Sequence, residues 1–268
     1  MQTRIDLKFK ALNETGHKGF MAYITAGDPS LSATIEIVHR LEDAGVDIVE
    51  LGIPFSDPLA DGRVNQESAI RALKSGTSLK KVLEAVSKIR KKSEIPILFY
   101  SYMNPLCAYG IEKFAHHAYQ AGVDGMLTLD LPVEEAGNVH DICDQHKLNH
   151  ICLVTPTSPK TRIQKIVKAS TGFVYCVSRM GVTGMTDRIE TDVAKLIRLT
   201  KEQTPLPVAL GFGISTPQQA QEAAKMADAI VVGSAIVNRF HQESHTAKGR
   251  ALAVNWVKKL VRATKEIV

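Results

Sequence analysis

The chain has 268 residues, 44% hydrophobic and 23% charged, proportions that supply a sizeable core and exclude a disordered or fibrous protein. Its net charge of +5 comes from scattered lysines and arginines, with clusters such as Lys88-Ile89-Arg90-Lys91-Lys92 at expected helix ends. No basic stripe with interleaved aromatics occurs, which argues against nucleic-acid binding; no apolar run reaches bilayer length, which argues against a membrane span.

Residues 1–18 carry Ile5, Phe9 and Leu12 at helical spacing and predict a short helix ahead of the first strand. Strands are then expected at Gly19 to Thr25, Asp47 to Leu51, Ile97 to Tyr100, Gly125 to Leu129, Ile151 to Thr155, Phe173 to Val177, Val208 to Gly211 and Ala229 to Gly233. Amphipathic stretches lie between them, as at Leu31, Ile35, Val38 and Leu41, with Ser30, Ser158 and Ser215-Thr216-Pro217 as helix starts. Two helical stretches, Val64 to Lys74 and Leu79 to Lys92, follow the second strand.

Internal echoes support one repeated βα unit. Ala44-Gly45-Val46-Asp47 resembles Ala121-Gly122-Val123-Asp124, with Ala227-Asp228 a looser copy, and Ile95-Pro96-Ile97 resembles Leu206-Pro207-Val208. Eight strands alternating with helices predict a single (β/α)8 TIM barrel over residues 1–268, its N-terminal helix closing the bottom and extra helices added. A doubly wound open sheet is the other architecture, but no Gly-x-Gly-x-x-Gly follows the first strand.

Three regions at the expected C-terminal face carry unusual sequence. Glu50 ends a buried strand and opens Leu51-Gly52-Ile53-Pro54-Phe55-Ser56-Asp57-Pro58-Leu59-Ala60-Asp61-Gly62, an acidic loop shaped by proline and glycine. Ser178 to Thr186, with two glycines and few charges, suits a segment folding over a ligand. Gly211-Phe212-Gly213-Ile214-Ser215 and Gly233-Ser234-Ala235 each join a strand to a helix start, where bare backbone can approach a phosphate.

Absences narrow the chemistry further. No lysine lies within an assigned strand, which disfavours a Schiff base, and the histidines show no HxH or HExxH spacing, so no metal is expected. His116-His117 sit on a helix pattern, where neighbours diverge. The remaining chemistry is carboxylate acid–base work on a phosphorylated substrate, with Tyr23, Tyr100, Tyr175 and Phe212 as an aromatic wall or, equally, as core. The cysteines Cys107, Cys143, Cys152 and Cys176 form no CxxC pair, and the N-terminus has no signal core, so a reduced cytoplasmic protein is expected.

Taken in order, Glu50 to Gly62, Ser178 to Gly184, Gly211 to Ser215 and Gly233 to Val237 resemble the tryptophan synthase alpha subunit family over nearly the whole chain. The resemblance implies a lyase that cleaves indole-3-glycerol phosphate to indole and glyceraldehyde 3-phosphate without a cofactor. It also implies an alpha2-beta2 complex, in which a beta subunit carries pyridoxal phosphate and receives the indole. By the same resemblance Glu50 is the acid–base residue and Asp61 pairs with the indole N–H. Thr183 reaches Asp61, while Gly184, Gly213, Gly233 and Ser234 hold phosphate. Pro54, Asp57 and Pro58 contact the partner.

Arg63 stands where the family usually has proline and is expected to place a cation near Asp61, and Met180 and Met185 occupy loop positions usually smaller or more polar. The competing functions are a phosphosugar isomerase or epimerase and a non-catalytic ligand-binding barrel that regulates a partner.

Overall fold

The computed structural model describes residues 2–178, 187–211, 213–243 and 246–266. The chain runs α1 (Arg4–Thr15), β1 (Gly19–Thr25), α2 (Leu31–Asp43), β2 (Ile48–Gly52), α3 (Arg63–Lys74), α4 (Leu79–Ile89) and β3 (Ile97–Ser101). It continues through α5 (Met103–Tyr109), α6 (Ile111–Ala121), β4 (Gly125–Thr128), α7 (Gly137–Gln145), β5 (Asn149–Ile151), β6 (Leu153–Val154) and α8 (Lys160–Ala169). The last elements are β7 (Val174–Val177), α9 (Asp187–Lys201), β8 (Val208–Gly211), α10 (Pro217–Met226), β9 (Ala229–Val232), α11 (Ser234–Glu243) and α12 (Ala247–Lys265).

The strands pair in parallel in the order β5-β4-β3-β2-β1-β9-β8-β7-β6. β5 and β6 stand at opposite ends of that order, yet only Cys152 separates them in the chain. The segment pairs with β4 through its first half and with β7 through its second, and so closes the sheet into a (β/α)8 barrel. The strand expected at Ile151 to Thr155 is therefore two short pieces that start earlier, because this segment changes neighbours midway. Its carbonyl at Cys152 still accepts the Tyr175 N–H at 3.2 Å. The other strand boundaries fall within one residue of expectation.

Strand alternation sorts the side chains. Phe20, Ala22 and Ile24 of β1 and Val49 and Leu51 of β2 belong to the layer between sheet and helices. Met21, Ile48, Leu98, Leu127, Phe173 and Ala229 fill the barrel interior. Ile5, Phe9 and Leu12 of α1 join that interior cluster, and the Phe9 ring lies 5.4 Å from Phe173, so α1 plugs one barrel end as its spacing predicted. A capping box between Thr3 and Asp6 starts this helix, and Gly16, at φ 70°, ends it.

The echoed aspartates form a repeated device at the same end. The N–H groups of Asp47, Asp124 and Asp228 donate to the carbonyls of Phe20, Ile97 and Val208, each at 2.9 Å. Each carboxylate in turn accepts the N–H of that same residue, at 2.9, 2.8 and 2.9 Å respectively. A cation neutralises each one: Lys265 at 3.2 Å, Arg90 at 2.8 Å and Lys201 at 2.8 Å. The repeat thus locks a strand start to its neighbour at three places. Asp124 is the most enclosed, its side chain 3% exposed against 10% for Arg90. Asp124→Ala leaves the Ile97 N–H and a buried guanidinium without this partner and is expected to cost about 3 kcal/mol in urea denaturation. A loss under about 1 kcal/mol, the median value of an exposed pair, would contradict the locking role.

Candidate active site

β2 sets the first functional group. Ile48 is an interior residue and Val49 and Leu51 are not, so alternation points Glu50 into the barrel, between Tyr23 and Leu98 of the flanking strands. Glu50 is 1% exposed, and its Oε1 has no hydrogen-bond partner among the described residues. Burial, with the Asp61 carboxylate as second cause, pushes its carboxyl up to about 8.

Asp61 approaches Glu50 from the loop after β2, close enough to act on its carboxyl. The loop is held by its own hydrogen bonds: the Asp61 N–H donates to Pro58 O at 3.0 Å, and Gln66 Nε2 donates to Asp61 O at 2.9 Å. Tyr100 Oη donates to Asp61 Oδ1 and Tyr102 Oη to Oδ2, each at 2.9 Å. Asn65 Nδ2 stands 3.5 Å from Oδ1, at the limit of a hydrogen bond. Burial raises the Asp61 carboxyl, while the two tyrosines and Asn65 oppose that shift. Tyr102 also accepts the Ala60 N–H at 3.0 Å and lies 5.4 Å from the Phe55 ring.

Of the aromatic residues expected near the site, Tyr23, Tyr100 and Tyr175 lie close enough to Glu50 and Asp61 to feel their charge. Tyr23 meets Tyr100 edge to face at 4.9 Å, and its hydroxyl lies 3.3 Å from Thr25 Oγ1. Tyr175 is buried, and after burial itself Glu50 is the largest influence on its hydroxyl. Burial raises all four tyrosine hydroxyls above their ordinary range, so they stay neutral donors. Two glycines make room for these rings. A Cβ on Gly52 would lie 2.8 Å from Tyr23 Cζ, and one on Gly211 would lie 2.8 Å from Tyr175 Cζ. Beside Gly211, read from sequence as backbone for an anion, the Tyr175 ring takes the space a Cβ would need.

Gly213 is exposed, with open space where a Cβ would stand, and Gly233 and Ser234 join β9 directly to α11. On the β8 side α10 starts at Pro217 with Thr216 as its cap, as the sequence predicted, and Gln219 Oε1 accepts the N–H groups of Ser215 and Thr216. Thr183, Gly184 and Phe212, together with Met180 and Met185, lie outside the described residues.

In the loop, Pro54 is buried and Pro58 half-buried, whereas Asp57 is exposed and Leu59 is 82% exposed. Arg63 turns away from Asp61: its guanidinium pairs with Glu67 at 2.7 Å, one helical turn on, and is almost wholly in solvent. His116 and His117 lie on α6, His117 Nδ1 standing 2.8 Å from Tyr109 Oη, and all four cysteines are unpaired. Among the described residues no group of three His, Cys, Asp or Glu could hold a metal ion. No described helix is long and apolar enough to cross a membrane.

Glu50, Asp61, Tyr23, Tyr100 and Tyr175 thus converge as the sequence predicted, while Tyr102 and Asn65 are additions. Tyr102 had a legible signal, since it stands two residues beyond Tyr100 at a strand end. Asn65 had none, because its approach to Asp61 depends on how the loop enters α3.

A family model described as "Tryptophan synthase alpha chain" matches residues 9–266. A tryptophan synthase alpha chain from Caldanaerobacter subterraneus subsp. tengcongensis is 46% identical over 267 residues, covering 99% of both chains. One from Citrifermentans bemidjiense is 47% identical over 240 residues, covering 90% of each. Among solved structures, tryptophan synthase subunit alpha from Legionella pneumophila str. Paris aligns with a TM-score of 0.91 at 34% identity, covering 98% of this chain and 99% of that one.

Glu50 also predicts a stability signature. Its folded carboxyl, near 8, lies above the unfolded value of 4.5, so the folded state binds more protons between these limits and loses stability as pH rises through them. Glu50→Gln removes that dependence. Relative to the variant, the parent should lose on the order of 2 kcal/mol or more between pH 5 and 8 in denaturant titrations. Parallel curves would contradict a buried, protonated Glu50.

Proposed function

The chain belongs to the tryptophan synthase alpha chain family, and from that premise we propose that it cleaves indole-3-glycerol phosphate to indole and glyceraldehyde 3-phosphate. The observation that carries the reading is a buried carboxyl held protonated near neutral pH beside a second, hydrogen-bonded carboxylate. Glu50 gives its proton to indole C3, and positive charge spreads to the ring nitrogen. Asp61 accepts the ring N–H and stabilises that charge through a fixed electrostatic partner. The Glu50 carboxylate then takes the proton of the side-chain hydroxyl. As the carbonyl forms, the C3 to side-chain bond breaks and its electron pair restores the aromatic ring. Glu50 ends protonated, and the atoms balance without another reactant.

Tyr23, Tyr100 and Tyr175 flank the ring in this reading, with Thr183 and Phe212 completing its enclosure. Gly213, Gly233, Ser234 and Gly184 receive the phosphate, with backbone and the α11 start as donors. The chain needs no cofactor of its own; pyridoxal phosphate belongs to the beta subunit of an alpha2-beta2 complex, which takes up the indole. Asp57 and Pro58 face that partner, and the exposed Leu59 side chain adds apolar contact area beside them. The assembly works in the cytoplasm. No observation favours an isomerase or a non-catalytic barrel.

Indole release from indole-3-glycerol phosphate, measured with the beta subunit present, tests the chemistry. Glu50→Gln is expected to lower kcat by about 100-fold or more, the usual scale for a general acid–base group, and unchanged turnover would sink the assignment. For the partner surface, Leu59→Asp is expected to weaken the complex about tenfold or more in sedimentation or calorimetric titration, since it places a charge in an apolar contact. An unaltered affinity would remove Leu59 from the interface.

A further inference from the structure

Asp61 has to meet two demands that oppose each other. Its carboxylate must stay charged to stabilise a cationic ring, yet it is partly buried and lies beside Glu50. A carboxylate has about four acceptor sites on two oxygens. Here each oxygen receives one strong donor, from Tyr100 and Tyr102 on the adjoining strand end, at 2.9 Å in both cases. Two donors on different oxygens fix the plane of the carboxylate as well as its position. The remaining lone pairs are left for a ring N–H.

We propose that Tyr100 and Tyr102 are positioning residues that clamp the Asp61 carboxylate, holding it oriented and ionised for the ring nitrogen. The inference rests on the retro-aldol reading above. The two hydroxyls are not equivalent. Tyr100 packs against Tyr23 and acts on the carboxylate alone. Tyr102 also accepts the Ala60 N–H and contacts Phe55, so it ties the loop backbone to the same strand end. The segment that carries Asp57 and Leu59 is thereby joined to Asp61 through one side chain.

The groups that set the charge state of Asp61 can be named. Tyr100 and Tyr102 of the β3 end and Asn65 of α3 favour the ionised form by donating to it. Burial disfavours it, while Glu50 of β2 and the hydroxyls of Tyr23 and Tyr175, from β1 and β7, are the other titratable groups close enough to interact with Asp61. Arg63 is spent on Glu67 in solvent and offers no compensation. With both hydroxyls gone, burial acts on Asp61 almost unopposed.

The test is the pH dependence of indole release by Tyr100→Phe, Tyr102→Phe and the double variant, each assayed with the beta subunit. Each single change should lower kcat/KM about tenfold, the scale of a lost hydrogen bond to a charged group. The acidic limb should move to higher pH by up to about one unit per hydroxyl removed, since a tenfold bias between charged and neutral forms is one unit. A packing role would leave that limb in place, because phenylalanine keeps the ring. An unmoved limb in Tyr100→Phe, with activity within about twofold of the parent, overturns the proposal; that scale is below one net hydrogen bond. If the parent releases no indole, the retro-aldol reading fails and the clamp is judged separately. In that case the Asp61 carboxyl is titrated by carbon NMR in the free chain. A rise in its midpoint in Tyr100→Phe supports the clamp, and an identical midpoint rejects it.

Discussion

A single inward-pointing carboxyl constrains the rest of this molecule. Alternation along β2 gives Glu50 no exit to solvent, and Oε1 finds no partner among the described residues. A buried carboxyl in that position is tolerable mainly in its neutral form, which is the form a general acid requires. The aromatic side chains around it exclude water, and Gly52 and Gly211 leave the space those rings occupy. The same environment would neutralise Asp61 too. Burial raises its carboxyl, and the hydroxyl donors oppose that shift, a support that Glu50 Oε1 lacks among the described residues.

Stability and chemistry occupy opposite barrel ends. At the N-terminal end, α1 fills the lumen and three aspartates lock neighbouring strands through paired hydrogen bonds and cations. These contacts use ordinary backbone geometry and satisfied charges. At the C-terminal end, a carboxyl oxygen with no partner among the described residues, buried tyrosines and an exposed Leu59 are features that a purely structural barrel would not need. A fold anchored at one end can carry such unfavourable features at the other.

Much of this was legible in the sequence, and the exceptions share a cause. The alternation of strands and helices, the plug helix and Glu50 follow from local periodicity, which one strand or helix determines by itself. The Gly-Val-Asp echo was visible, but its meaning, a carboxylate returning to the neighbouring strand, needed the pairing register. Tyr102 and Asn65 escaped because they meet Asp61 only once the loop folds back over β3. The packing role of Gly211 escaped for a similar reason: the ring it accommodates comes from β7, a different strand. Arg63 sits beside Asp61 in sequence, yet a Glu67 one turn away draws it into solvent.

The protonation state of Glu50 is the claim on which the mechanism depends most directly. Difference infrared spectroscopy of its carboxyl, using Glu50→Gln to identify the signal, measures that state across pH. A midpoint near 8 is the predicted result. A midpoint near 4.5, the ordinary value, would mean that the barrel interior does not hold the proton and that Glu50 cannot serve as the acid.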